Sequence, residues 1–252
     1  YMMDKCVTVI VGTKWGDEGK GKIAAREAKD ANLVIRATGG ANAGHTVIYK
    51  GTKLALHLVP GGIVYSQTTC IIGPGTVVDP DVLCSEITML ENCGIPDVKN
   101  RLKISGRTHV ILPYHKDLDE LHEKMKEHPV GTTKRGIGPC YSDKDNRIGI
   151  RMYDLLFPKA ELKKKITEAT KLHNQAFQKN GMNECIVDVN NLANHCQSIG
   201  LKLKPCITDI APIITDNILN RKKIVVEGAQ AFRLDLDHGD YPMVTSSNPV
   251  TA

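Results

Sequence analysis

A chain of 252 residues, 41% apolar and 24% charged, carries enough apolar material for a substantial core, which excludes a disordered tail or a disulfide-stapled miniprotein. The formal net charge of +5 is too small to argue for nucleic acid, and aromatic residues at 4% leave few platforms for stacking bases. No apolar run has the length of a membrane span, no signal-peptide pattern opens the chain, and the eight cysteines show neither Cys-x-x-Cys nor zinc spacing, so they read as reduced, mostly buried thiols of a cytoplasmic protein. Tyr1 ahead of Met2 and Met3 reads as a fragment edge.

The apolar run at residues 6–11 predicts a strand, and residues 23–29 predict a helix. Between them lies Gly12-Thr13-Lys14-Trp15-Gly16-Asp17-Glu18-Gly19-Lys20-Gly21-Lys22, the strand, glycine-rich turn and helix of a phosphate-binding loop. Residues 33–37 predict a second buried strand running into a Gly/Asn-rich loop, 38–46, that ends near His45. Residues 47–58 predict a hairpin turning at Lys50-Gly51, with His57 as a core residue. A short strand is expected at 70–73. A helix is expected at 79–93, with Val82, Leu83, Ile87 and Leu90 on one face and Gly94 as the stop. Strands at 102–104 and 109–112 and a polar helix at 113–126 follow. Residues 131–139 form a third special loop, rich in Gly and Thr and basic at Lys134 and Arg135. Helices are expected at 161–178, whose Lys163, Lys164 and Lys165 read as a solvated face, and at 184–197 and 205–219. A buried strand at 223–226 ends in Glu227-Gly228-Ala229-Gln230. The alternation implies one α/β domain over residues 1–252, with a mainly parallel central sheet flanked by helices, P-loop NTPase-like, and ligand loops at the carboxyl ends of the strands.

Gly16 to Lys22 fits G-x-x-x-x-G-K, but Ile23 stands where a magnesium-binding hydroxyl is usual. Backbone N–H groups and a helix N-terminus attract phosphate, so the carboxylates Asp17 and Glu18 are out of place unless a cation lies between or one of them does chemistry. Asp17 is therefore the candidate for both general base and Mg²⁺ ligand. Gly16, Gly19 and Gly21 with Lys20 and Lys22 are the candidate phosphate cradle. His45 follows glycines that permit close approach to a ligand, and is a candidate acid toward a transferring phosphoryl group. Thr132, Thr133, Lys134 and Arg135 suit a second anion. Gln230 can read a base or ribose through its amide, or cap a strand end. Arg147 reads equally as a surface arginine or as a residue reaching a neighbouring subunit. Asp235 and Asp237 alternate on an expected strand, and structural hydrogen bonding explains them more simply than a second metal site with His238. The residues thus point to ATP- or GTP-driven activation of an anionic substrate.

At these loops the sequence resembles the adenylosuccinate synthetase family: WGDEGKGK at 15–22, NAGHT at 42–46, LHLVP at 56–60, GTTKRGIGP at 131–139, EGAQ at 227–230, DHG at 237–239 with Tyr241-Pro242, and VTSSN at 244–248. The resemblance implies a ligase that uses GTP to join L-aspartate to IMP through 6-phosphoryl-IMP, giving adenylosuccinate, GDP and phosphate. It implies Asp17 as the base on N1 of IMP and His45 as the acid. It places GTP on Gly16, Asp17, Glu18, Gly19, Lys20, Gly21, Lys22, Gly44, His45 and Thr46. It places IMP on Asp17, Glu18, Gly19, Lys20, Asn42, Ala43, Gly44, His45, Thr133, Arg147, Gln230 and Thr245. Mg²⁺ would be held by Asp17 and the Gly44 carbonyl, and Arg147 would cross a homodimer interface to the partner's IMP.

The chain departs from the family pattern at Lys14, Arg233 and Asp240, and it stops at Ala252 where the family continues. It is expected to be an N-terminal portion without the loops that bind aspartate and guanine, leaving an exposed sheet edge or apolar face. Two alternatives stay open: an IMP-binding or dimerising module without catalysis, and a generic P-loop NTPase, against which Ile23 and Asp17 argue.

Overall fold

The computed structural model describes residues 6–125, 127 and 131–250. In chain order the elements are β1 (Val7–Ile10), α1 (Lys20–Ala28), β2 (Leu33–Gly39), β3 (His45–Tyr49), β4 (Thr52–Leu56), β5 (Thr69–Val78), α2 (Pro80–Asn92), α3 (Val98–Arg101), β6 (Leu102–Ser105) and β7 (His109–Val110). Then come α4 (Pro113–Met125), α5 (Ile137–Asp145), α6 (Lys159–Lys179), α7 (Val189–Leu203), β8 (Ile207–Thr208), α8 (Ala211–Leu219) and β9 (Ile224–Glu227). The sheet runs β1-β9-β2-β5-β6-β8, with β7 beside β5, and every pairing in it is parallel. The expected mainly parallel α/β sheet is thus the one observed.

Local chemistry explains most boundaries. Lys50 and Gly51 both have positive φ (46° and 83°), the turn whose twist suits a two-residue hairpin, and β3 and β4 pair antiparallel around it. Asp79 caps α2 by accepting the N–H groups of Asp81 and Val82, with Pro80 as the first helical residue. Such a cap is worth about 1 kcal/mol. Other expectations need correction. The helix expected at 184–197 begins at Val189, capped by Asp188, and a short 3-10 turn occupies Asn183–Cys185. The helix expected at 205–219 is split, because residues 207–208 extend the sheet beside β6 before α8 begins. The strand expected at 109–112 stops at Val110. Lys126, the expected end of the polar helix, lies outside the described residues.

Period-two alternation decides what each face of the sheet carries. Val34, Val225, Cys70, Ile72, Leu102 and Ile104 join the main core beneath α2, α6 and α7. Leu33, Ile71, Ile224 and Ile210 form a smaller cluster on the other face, with Ile213 and Ile214 of α8 against it. In register with this second face, Val7 and Val9 of β1 are 42% and 51% exposed at the sheet edge. An uncovered parallel edge is a template for self-association. Val9→Lys should therefore reduce self-association in light scattering or sedimentation, with stability changed by no more than about 0.5 kcal/mol.

Beside the sheet, α4, α5 and α6 meet at one buried carboxylate. Asp143 of α5 accepts hydrogen bonds from Tyr114 (3.3 Å), His115 (3.1 Å) and His173 (2.9 Å). His115 Nδ1 accepts the Leu112 N–H at 2.8 Å, so its proton is on Nε2, facing Asp143. No helix among the described residues is long and apolar enough to cross a membrane.

Candidate functional site

The sheet order places β9 between β1 and β2, so the chain leaves neighbouring positions at the carboxyl ends of three parallel strands. Crevices at such switch points are where open α/β sheets bind ligands. The loops after β1, β2 and β9 converge here around a cavity of about 430 Å³. Its wall includes Gly16, Asp17, Gly19, Lys20, Gly21 and Lys22 from the first loop. Asn42, Ala43, Gly44, His45 and Thr46 come from the second, and Glu227 and Gln230 from the third. Two backbones touch closely at this point: a Cβ on Gly228 would lie 2.6 Å from the Ile10 carbonyl oxygen, so only glycine fits.

Within the first loop, Gly16 and Gly19 take positive φ (96° and 84°), and α1 starts directly after Gly19. The helix therefore begins three residues earlier than its apolar periodicity suggests, and its first turn, Lys20 to Lys22, lines the cavity without a side-chain cap. The two carboxylates behave differently. Glu18 accepts the N–H groups of Lys14 and Gly16 and lies 3.6 Å from Lys20 Nζ, so its carboxylate braces the loop, and it is not part of the cavity wall. Burial of its partner, Lys20, pulls that ammonium below its usual range, opposed by Glu18 and Asp17. Asp17 is exposed on the cavity wall and forms no hydrogen bond to a described residue. Its free carboxylate and the Gly44 carbonyl on the same wall are both hard oxygen donors, the type magnesium takes.

His45 is held from behind. Its Nδ1 lies 3.2 Å from Glu227 Oε1, and the other oxygen of Glu227 accepts the Gly61 N–H at 3.1 Å. Burial pushes His45 below the usual histidine value; Glu227 opposes that and Arg36 reinforces it. Arg36 is itself 1% exposed and lines the cavity, with one bond to the Gly40 carbonyl at 2.9 Å. Three buried polar atoms of residues that line it, Arg36 Nε, His45 Nε2 and Gln230 Oε1, have no hydrogen-bond partner among the described residues. Buried polar groups are ordinarily satisfied, so their concentration here marks a ligand surface. Gly21 of α1 packs against the histidine: a Cβ there would lie 2.5 Å from His45 Cβ. Gly21→Ala should displace the imidazole and cost about 1–3 kcal/mol of stability, read by denaturant unfolding.

A second cavity of about 450 Å³ adjoins the first and shares Asn42, Gln230 and Leu234 with it. Thr132, Thr133, Ser142, Thr245 and Ser246 line it. Gln230 Nε2 donates to Asn42 Oδ1 at 2.9 Å across the boundary, so its amide is placed between the two spaces. Gln230 adopts φ +55°, a left-handed conformation that costs energy in a non-glycine residue and clusters at functional sites. Arg147, also left-handed at φ +64°, is exposed and lines neither cavity. Asp235 and Asp237 do not lie on a strand. Asp235 is fully buried after a short 3-10 turn and accepts the N–H groups of Asp237, His238 and Val250. That is a loop-closing role. His57 is half-buried and its Nδ1 meets the Ala43 carbonyl at 3.0 Å, behind the second loop.

Sequence reading passed over Arg36 and Glu227. Arg36 stands inside the strand expected at 33–37, and Glu227 ends the strand expected at 223–226. A signal was present at Arg36, because a charge on a strand expected to be buried needs a partner.

A sequence profile of the adenylosuccinate synthetase family matches residues 9–252. The adenylosuccinate synthetase of Acetivibrio thermocellus is 52% identical over 243 residues, covering 96% of this chain and 56% of that protein. That of Heliobacterium modesticaldum is 47% identical over 246 residues, covering 96% and 56%. The solved structure of fully ligated adenylosuccinate synthetase from Plasmodium falciparum superposes with a TM-score of 0.84 at 37% identity, over 97% of this chain and 56% of that one. The chain thus spans a little over half the length of the relatives it matches. With the family profile matched over nearly its whole length and the fold superposing, it belongs to the adenylosuccinate synthetase family.

Proposed function

We propose that this chain carries the IMP site and the phosphoryl-transfer machinery of a GTP-dependent ligation of L-aspartate to IMP. One observation supports the reading most: an unpaired carboxylate, a buried histidine and a phosphate loop share the wall of one cavity, and Asn42 and Gln230 lead from it into a second cavity bearing Thr133 and Thr245. Asp17 takes the N1 proton of IMP, which makes O6 the nucleophile toward the γ-phosphorus of GTP. His45 donates a hydrogen bond to the phosphoryl oxygens in transfer. The N–H groups at the start of α1, with Lys20 and Lys22, hold the remaining phosphate charge. The amine of aspartate then displaces phosphate from C6, giving adenylosuccinate beside GDP and phosphate. Asp17 and the Gly44 carbonyl would hold Mg²⁺, which when bound neutralises phosphate charge.

Arg147, exposed outside both cavities, would serve the IMP site of a second subunit in a homodimer. Free thiols at all eight cysteines fit a reducing, cytoplasmic setting. The test is phosphate release by the 252-residue chain with GTP, IMP and aspartate, alongside calorimetric titration with IMP alone. Release that requires both nucleotides supports the ligase. IMP binding with no release under any combination supports the non-catalytic module, which the coverage of little more than half a relative keeps in play.

A further inference from the structure

We propose that Arg135 is a positioning residue for the second loop: its guanidinium latches onto the Ala41 carbonyl and does not serve as a ligand for the substrate anion. The consequence for turnover rests on the phosphoryl-transfer reading, whereas the latch itself rests on geometry. Residue type points to anion binding at Lys134 and Arg135, yet neither lines either cavity. Lys134 Nζ lies 3.8 Å from Glu120. Arg135 Nη1 donates to the Ala41 carbonyl oxygen at 2.7 Å, a short bond of the charge-assisted kind. Ala41 is 2% exposed, and a carbonyl withdrawn from water is costly to leave without a donor.

The latch completes a longer contact. The Gly39 N–H donates to the Tyr141 hydroxyl at 3.1 Å, and that hydroxyl donates to the Gly75 carbonyl at 2.7 Å. At Gly40 a Cβ would lie 2.6 Å from Ile137 Cδ1, so α5 packs directly on bare backbone there. Ala41 then takes the Arg135 bond. Ile137 and Tyr141 are four residues apart and share a face of α5, and Arg135 extends that contact across the left-handed Gly136 (φ +70°). Both ends of the latch are anchored. On one side the Gly136 N–H donates to Asp119 of α4 at 3.0 Å, and Thr133, two residues before Arg135, lines the second cavity. On the other, Asn42 directly follows Ala41, lines both cavities and accepts Gln230 Nε2 at 2.9 Å. One hydrogen bond between residues 94 positions apart thus ties the segment that carries Thr133 to the segment that carries Asn42 and His45.

If Arg135 were an anion ligand instead, a chain free of nucleotide and phosphate would not miss it. Hydrogen exchange of the 252-residue chain in phosphate-free buffer, with no nucleotide added, therefore separates the two readings. Arg135→Met removes the donor and keeps an unbranched stem. The amides of residues 39–46, among them the Ala43 N–H that bonds the Gly40 carbonyl at 3.3 Å, should exchange about tenfold faster or more. Those of β5 and α2 should keep the parent rate. Arg135→Lys, which retains a charged donor, should restore part of the protection. Arg135→Gln, whose shorter side chain falls short of Ala41, should match Arg135→Met and carries the test if the methionine variant does not fold. Unchanged exchange at 39–46, or acceleration spread evenly over the chain, would overturn the proposal. In the phosphate-release assay, Arg135→Met should lower kcat about tenfold while KM for IMP stays within about threefold. A raised KM with kcat unchanged would also overturn it, by making Arg135 an anion ligand. A parent chain without turnover would count against the ligase reading, and the exchange rates would still judge the latch.

Discussion

Asp17→Ala should lower GTP- and IMP-dependent phosphate release by about a hundredfold to ten-thousandfold, the range that a positioned general base contributes. The fold should not notice. Asp17 is exposed and makes no hydrogen bond to a described residue, so the unfolding free energy should stay within about 0.5 kcal/mol of the parent. This pairing of a large catalytic loss with an unchanged melting curve is what distinguishes a base from a loop brace. Glu18→Ala offers the contrast. It removes the acceptor for the Lys14 and Gly16 N–H groups and loosens the loop that Lys20 also ties to the Gly16 carbonyl. Near-normal turnover in Asp17→Ala would remove Asp17 from the role of base and leave Glu18 as the nearest carboxylate to examine.

The largest effect on stability is expected at Asp143→Ala, which should cost roughly 3–5 kcal/mol, because three donors would be left facing an empty site in the core. Asp143 has a side chain 2% exposed and joins α4, α5 and α6 through Tyr114, His115 and His173. Its carboxyl is held down at about 2: burial pushes it upward, and the bonds from His115 and His173 more than offset that. A lowered carboxylate value stabilises the fold in full above the unfolded value near 3.8, and the contribution is lost as pH falls from about 4 to about 2. The drop corresponds to about 2 kcal/mol. His115 acts in the same direction. Burial depresses it below the ordinary 6.5, so the fold favours its neutral form and loses that preference as pH falls below the unfolded value. Denaturant unfolding measured from about pH 7 to about pH 2 should show both losses in the parent chain. In Asp143→Ala the limb below about pH 4 should flatten. An equally steep acid limb in the variant would place the titrating group elsewhere.

The same network bears on the third loop. A Cβ at Gly136, which opens α5, would lie 2.8 Å from His115 Cβ, and the Gly136 N–H donates to Asp119 at 3.0 Å. Asp143 also lies on the helix that ends beside Arg147, and its carbonyl accepts the N–H groups of Ile148 and Gly149. Thr133 on one side and Arg147 on the other are thus attached to one helix whose seat is Asp143.

Legibility followed locality. The glycine-rich loop, the hairpin at Lys50-Gly51 and the α2 start at Asp79-Pro80 were readable because their turn and cap chemistry is written within a few adjacent residues. The interval 205–219 misled because it is mostly apolar and short. Nothing local separates a two-residue strand from the first turn of a helix, and only the free edge of β6 settled it. Asp235 misled for the opposite reason: alternation suggested a strand, whereas two of its partners, Asn248 and Val250, lie 13 and 15 residues away.

Sequence alone determined the parallel α/β class, the family and the presence of a carboxylate inside an anion loop, since each depends on residue type at fixed spacing. Tertiary structure decided which carboxylate stands free and which braces the loop, because Asp17 and Glu18 are neighbours in sequence and part only through the bonds the folded loop makes. It also brought Glu227 beside His45 and Arg36, by inserting β9 between two strands formed near the start of the chain. That juxtaposition spans most of the sequence and depends on strand order, which no local spacing encodes.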